Sequence, residues 1–270
     1  MDDIPHQLLT SLSTTTTPLP SLPWLLTLLS TTRQPPPPLA SLLATVRTRL
    51  LASDLTTPNL LDADWAAGHC FPPSIAGGNA TGVRETKLQG DVVVQVLDVE
   101  DVARGRWEVV EEMERVERGE GRRGREVVRL AAAAGEENPE GEEGTQQAST
   151  APGPGSSSTK NSTHKLLIQD CRGHKLDALE LRRVERLGVG STLIGEKILL
   201  RKGTVVARGV VLLEPAQCVL LGGKVEAWHR EWVAGRLGRL REAVSGGGAG
   251  GGRGGGGAGR GGEGDGAAGV

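Results

Sequence analysis

The first fifty residues carry apolar side chains at helical spacing, and strand-like runs follow, interrupted and closed by further helical patterns. A first helical pattern covers residues 4–12. Ser21, followed by Pro23, opens a second over 24–29, because a serine oxygen caps a free backbone N–H and proline fits the first turn. Four prolines at 35–38 make a stiff spacer. Leu39, Leu42, Leu43, Val46 and Leu50 then recur every three or four residues, which predicts a third helix over 39–52 with one apolar face. Three such helices make a small bundle over residues 1–70. Residues 58–82 read as loop, and 71–86 as a linker to the next domain.

The stretch LQGDVVVQVL at 88–97 is β-branched and reads as a strand, with Gly90 marking a bulge or sharp bend. Residues 100–129 are dense in Glu and Arg, and Trp107, Val110 and Met113, with Val109 and Val116, recur at helical spacing. This predicts an amphipathic helix whose alternating charges pair with one another. Residues 131–163 bring an alanine run, a glutamate-rich run and then Ser, Thr, Pro and Gly, a composition expected to stay disordered. Strands resume over 165–170, 175–181, 197–201 and 205–213, the last read as partner of the one before it. Five antiparallel strands without crossover helices suggest a small barrel of the OB type over 87–244, carrying a long insertion at 103–163 after its first strand. Pro215 ends the last strand, and Gly222-Gly223 turn the chain into a closing helix over 222–244. Val225, Trp228 and Trp232 share a face of that helix, continued by Val233, Leu237, Leu240 and Val244, so both tryptophans are expected to lie back on the fold. Residues 245–270 read as a flexible glycine-rich tail. The architecture is thus α+β, mainly β: a three-helix bundle, a five-stranded barrel and a C-terminal helix.

Composition narrows the function. With five Trp, one Phe and no Tyr, the core must be mostly Leu, Val and Ala. A net charge of −2 gives no reason to expect strong non-specific nucleic-acid binding. Three separated cysteines, Cys70, Cys171 and Cys218, fit free thiols in a reducing compartment. The apolar stretch at 19–29 is broken by Pro20 and Pro23 and is too short to span a bilayer, so a soluble intracellular protein without membrane contact is expected. GSTLIGEK at 190–197 falls short of a phosphate loop, since Glu196 stands where the lysine is required. Cys171 and His174 have metal-like spacing, but two ligands do not make a site. No nucleophile–base constellation or paired carboxylates can be argued, so no catalytic residue and no cofactor is assigned. The barrel strands contain no aromatic on which a base could stack, which favours a protein-docking surface over an autonomous single-strand binder. Arg253 and Arg260 in the tail add at most weak nucleic-acid affinity.

The order of these segments is specific: a helical bundle, LQGDVVVQVLDVEDVA, a charged insertion, KLLIQDCRGHKLDALEL, and GVVLLEP at 209–215 leading to LLGGKV at 220–225. It resembles the N-terminal region of the RecQ-mediated genome instability protein 1 family, with Glu214 and Lys224 as mild departures. The resemblance implies a helical bundle followed by one OB-fold, without the second C-terminal OB-fold of longer relatives. It also implies a non-catalytic nuclear subunit that works with a type IA topoisomerase III and a RecQ-family helicase, dissolves double Holliday junctions, and meets DNA through that complex. The insertion is the part that reaches the topoisomerase, and Trp107, Val110 and Met113 at its start are the expected contacts. Leu51 and Asp54 fall at a bundle segment linked to partner binding, and Lys197 where the family places a basic residue at the partner surface. The bland alternatives are bundle core for Leu51 and a solvated strand end for Lys197. A single-stranded nucleic-acid-binding OB protein is the competing function.

Overall fold

A computed structural model of the chain describes residues 4–32, 37–76, 84–119 and 162–247. The bundle consists of α1 (Ile4–Ser13), α2 (Leu22–Ser30) and α3 (Leu39–Leu51). Ser21 caps α2 as its sequence suggests, its hydroxyl accepting from the Trp24 N–H at 3.3 Å. Leu8, Leu12, Leu25, Leu42 and Val46 fill the space between the three helices. The stretch read as loop and linker holds two further short helices, α4 (Ala63–Gly68) and α5 (Pro73–Ala76). Asp62 caps α4 by accepting from the Trp65 N–H at 2.9 Å. Phe71 and Ile75, each 1% exposed, lie in the barrel core, so the start of the expected linker is part of the barrel.

The sheet contains β1 (Thr86–Lys87), β2 (Val92–Asp101), β3 (His164–Asp170), β4 (Lys175–Glu180), β5 (Lys197–Leu200), β6 (Val205–Ala207), β7 (Val210–Leu213) and β8 (Cys218–Gly222). Their order is β1-β6-β7-β4-β3-β2-β5-β8, with β4 and β7 parallel and every other pair antiparallel. β1 and β2 are consecutive in the chain, separated by the bend at Gln89-Gly90, yet β1 pairs with β6 and β2 with β3. One bent strand therefore meets both ends of the run β3-β4-β7-β6, and the sheet curls into the barrel. The bend expected at Gly90 is present, and the ladder slips a second time at Leu97, between Val96 and Asp98.

Residues 205–213 are two strands, not one. Arg208 and Gly209 have φ of 49° and 80°, the pair of positive values that a tight two-residue hairpin turn requires. The β-branched residues on both sides hid this turn. The partners of β5 are accordingly β2 and β8, not residues 205–213, and β5 with β8 extends the sheet beyond β2. Val92, Val94 and Val96 of β2 point into the barrel with Ile198 and Leu200 of β5. Val93 and Leu199, on the opposite face, pack with Leu55, Leu61 and Trp65 from the chain leaving the bundle. Burial on both faces is why the run VVVQV is apolar without alternation. At the far end of the barrel Glu180 closes β3 onto β4, its carboxylate accepting from the His164 N–H at 3.2 Å and the Val184 N–H at 2.7 Å.

Two helices lie outside the barrel. α6 (Arg106–Glu117) follows β2, and α7 (Glu226–Gly247) follows β8. Trp228 and Trp232 of α7 pack against the barrel core, as the shared face predicts. Val233 does not continue that face: it is exposed, while Leu237 is buried. The expected disorder over 131–163 falls, apart from Ser162 and Thr163, outside the described residues, as does the tail beyond 247. No helix among the described residues is long and apolar enough to cross a membrane.

Candidate partner-binding site

The six candidate contact residues fall into two places. Leu51, Asp54 and Lys197 meet at the seam between bundle and barrel. Trp107, Val110 and Met113 lie on α6.

The seam is built from the outward positions of β2 and β5. Side chains alternate along a strand, so Val93 and Gln95 face the bundle, as do Lys197 and Leu199. Gln95 is fully buried. Its amide oxygen accepts from the Leu55 N–H at 3.0 Å, and its amide nitrogen donates to Asp54 Oδ1 at 2.7 Å and Gln169 Oε1 at 3.1 Å. Lys197 is 0% exposed, not at a solvated strand end, and its Nζ donates to the Ser53 carbonyl at 2.6 Å and the Gly195 carbonyl at 2.7 Å. Burial pushes the Lys197 ammonium down to about 8, against the pull of Asp54. Burial alone would raise the Asp54 carboxyl, but hydrogen bonds from Gln95 and Thr56, with the Lys197 charge, hold it below the usual range. Leu51 is buried, and its backbone carbonyl lies against Gly223. In this chain Leu51 and Lys197 are therefore turned inward, and Lys197 holds the turn that ends α3. Gln95 is the member of this cluster that the strand pattern does not reveal, since a lone glutamine between valines reads as an exposed rung. Replacing Gln95 by leucine strands the buried Leu55 N–H and should cost about 2 kcal/mol in urea unfolding.

The second place is the root of the insertion. The ladder rung Asp101↔His164 and the Val102 N–H to Thr163 carbonyl bond of 2.8 Å bring both ends of the insertion to one point. α6 starts there and packs along α7. Val110 is 3% exposed and Met113 half-buried, so these two anchor the helix, whereas Trp107 is 65% exposed and Val116 62%. Arg106 fixes the first turn to β2 by two bonds to Glu100, of 2.5 and 3.1 Å, which hold the Glu100 carboxyl below its usual range. Arg104 bridges Glu108 at 3.1 Å and Glu112 at 2.5 Å. Glu114 accepts from Arg241 of α7 at 2.8 Å. The alternating charges read from the sequence are therefore spent on aiming the helix. Its indole is left largely in water.

Elsewhere the chemistry is structural. His174 Nδ1 lies 3.0 Å from buried Asp170, whose carboxylate also accepts from the N–H groups of Phe71, Arg172 and His174. Among the described residues no group of three or more His, Cys, Asp and Glu side chains is placed to hold a metal ion. Glu196, which replaces the phosphate-loop lysine, is buried and accepts from the Leu193 N–H at 3.1 Å.

Comparison with known proteins agrees with this division. Residues 71–236 match the family model described as RMI1, N-terminal OB-fold domain, and residues 12–58 the one described as RMI1, N-terminal helical domain. The first begins at Phe71, the residue that enters the barrel core. The chain is similar to RecQ-mediated genome instability protein 1 of Schizosaccharomyces pombe, 25% identical over 187 residues that cover 67% of this chain and 78% of that protein.

Proposed function

The chain belongs to the RMI1 family, and from that premise we propose that it is a non-catalytic scaffold subunit, in the nucleus, of an assembly of a RecQ-family helicase with topoisomerase III. In this reading the barrel and bundle form one rigid base. The base holds an arm, residues 103–163, against the topoisomerase gate, and the assembly dissolves double Holliday junctions without crossover. The observation that carries the reading is the exposed Trp107 on a helix whose first turn is pinned to the barrel by Arg106 and Glu100. Large indoles left in water on a fixed helix are the side chains that dominate protein interfaces.

Because the ends of the insertion meet, residues 103–163 can be replaced by a short turn without opening the ladder. The expected result is loss of topoisomerase III stimulation in a decatenation assay, while the barrel stays folded by circular dichroism and urea unfolding loses only what the packing of α6 on α7 contributes. Trp107→Ala in the full chain should weaken topoisomerase III binding by about tenfold. The reading fails if the shortened chain still stimulates. Submicromolar binding of single-stranded DNA by the chain alone, measured by fluorescence anisotropy, would favour the nucleic-acid-binding function in its place.

A further inference from the structure

Between the end of β2, α6 and α7 lies a slot of about 200 Å³, lined by Val99, Val109, Leu240 and Trp232 with several charged groups. Its carboxylates are engaged. Glu100 holds Arg106, Asp98 accepts from Trp232 Nε1 at 2.6 Å and from the Val99 N–H at 2.8 Å, and Asp101 accepts from the Ala103 N–H at 3.0 Å. Arg239 donates to the Trp232 carbonyl at 2.8 Å. Arg236 is different. Its guanidinium lies 5.3 Å from the centre of the Trp232 ring, half-buried, and makes no hydrogen bond among the described residues. Arg239 stands over the same ring at 5.7 Å. Burial weakens the hold of Arg236 on its proton, and the charges of Arg239 and Arg104 add to this, while those of Asp98 and Glu112 oppose it. The slot thus contains a guanidinium stacked on an indole, near two like charges, with its planar fork of donors unfilled by any described residue. That fork matches the two oxygens of a carboxylate.

We infer that this slot receives the carboxylate side chain, aspartate or glutamate, of the protein that docks on α6; the inference rests on the scaffold reading above. A single carboxylate fits where a polyanion does not. Arg104, Arg106, Arg236 and Arg239 line the slot against Asp98, Glu100 and Asp101, a surplus of one positive charge that a single carboxylate balances, and the volume takes one side chain. Val99, Val109 and Leu240 offer apolar wall to the methylene stem of that side chain. α6 carries both Trp107 and Val109, so a partner seated on the indole reaches the slot from the same helix.

Two measurements on the full chain test this. In calorimetric titration with topoisomerase III, Arg236→Gln should bind about tenfold more weakly or worse, Arg236→Lys should fall between, and the unbound variants should melt with the unaltered chain. In the chain alone, the Arg236 Nε–H NMR signal should shift saturably with potassium glutarate and not with potassium chloride at equal ionic strength. Unchanged affinity of Arg236→Gln, while Trp107→Ala loses binding, overturns the slot and leaves the scaffold reading standing. If the unaltered chain does not bind topoisomerase III, the scaffold reading fails, and the glutarate titration judges the slot by itself. Equal shifts with glutarate and chloride, or a larger one with inorganic phosphate, overturn the carboxylate assignment.

Discussion

Gly223→Ala should detach the helical bundle from the barrel, lowering stability by about 4 kcal/mol, whereas Gly222→Ala, one residue earlier, should cost about 1 kcal/mol. Both glycines have left-handed backbone, with φ of 84° at Gly222 and 89° at Gly223, so both substitutions incur the same conformational strain. They differ in what a methyl group would meet. At Gly222 there is nothing within 4 Å, while at Gly223 the new carbon falls on the carbonyl of Leu51 and within 2.8 Å of the Leu51 side chain. The obstructing atom is backbone, held by the last turn of α3, and cannot swing aside. Relief requires the end of α3 to lift, which breaks the Lys197 bond to Ser53 and the Gln95 bond to Leu55. Leu55, Leu61 and Trp65 then lose their cover from Val93 and Leu199. Urea unfolding followed by circular dichroism measures the two costs, and proteolysis should cut Gly223→Ala between residues 52 and 62. Equal losses for the two variants would show that strain alone matters and that the seam is not rigid.

The seam also shows where sequence reading stops. α1, α2 and α3 lie where periodicity predicts them to within two residues at each end, because each buries one stripe at 3.6-residue spacing and Ser21 with Pro23 marks the start of α2. α6 is as legible, for the same reason. The hairpin at Arg208-Gly209 was not, since arginine is a poor marker of positive φ and the flanking valines read straight through. α4 carried a readable signal in Asp62, three residues before the N–H it caps, but the helix is too short to build a periodicity. Phe71 and Ile75 sit in a proline-bearing stretch that looks like linker, and only the curl of the sheet shows that they complete its core. The site residues divide in the same way. Although Trp107 at the same spacing is exposed, the anchoring of Val110 and Met113 follows from their shared helical face. The inward turn of Lys197 does not, because a lysine at the start of a strand belongs in water unless another domain covers it. That cover comes from residues more than 140 positions earlier in the chain, as the Ser53 to Lys197 bond shows.

Lys197 gives the second large effect, and one with a sign that depends on pH. Lys197→Ala removes two donors from the carbonyls of Ser53 and Gly195 and empties the space of a fully buried stem, for an expected loss of about 3 kcal/mol near neutrality. Lys197→Met refills most of that space, so it should lose less. The two lysine states then separate the charge from the shape. In the folded chain burial holds the ammonium at about 8, against an ordinary value of 10.5. Between those values the unfolded chain binds more protons than the folded one, so the stability due to this group rises with pH. Below pH 8 the full cost of burying the charge is present; by pH 10.5 it is gone, a gain of about 3 kcal/mol. The amine that remains still has protons for both carbonyls. The thiols act in the opposite sense. Burial raises Cys171 to about 11 and Cys218 to about 12 from 9.0, so the folded chain keeps protons that the unfolded chain releases, and stability falls as pH rises past 9.0. The unaltered chain alone can therefore show a flat profile. The difference between it and Lys197→Met cancels the thiols, which both carry, and should widen in favour of the lysine across pH 8 to 10.5 in urea unfolding. A difference that stays constant over that range would mean that water reaches Nζ, and that the bundle does not seal the barrel face it covers.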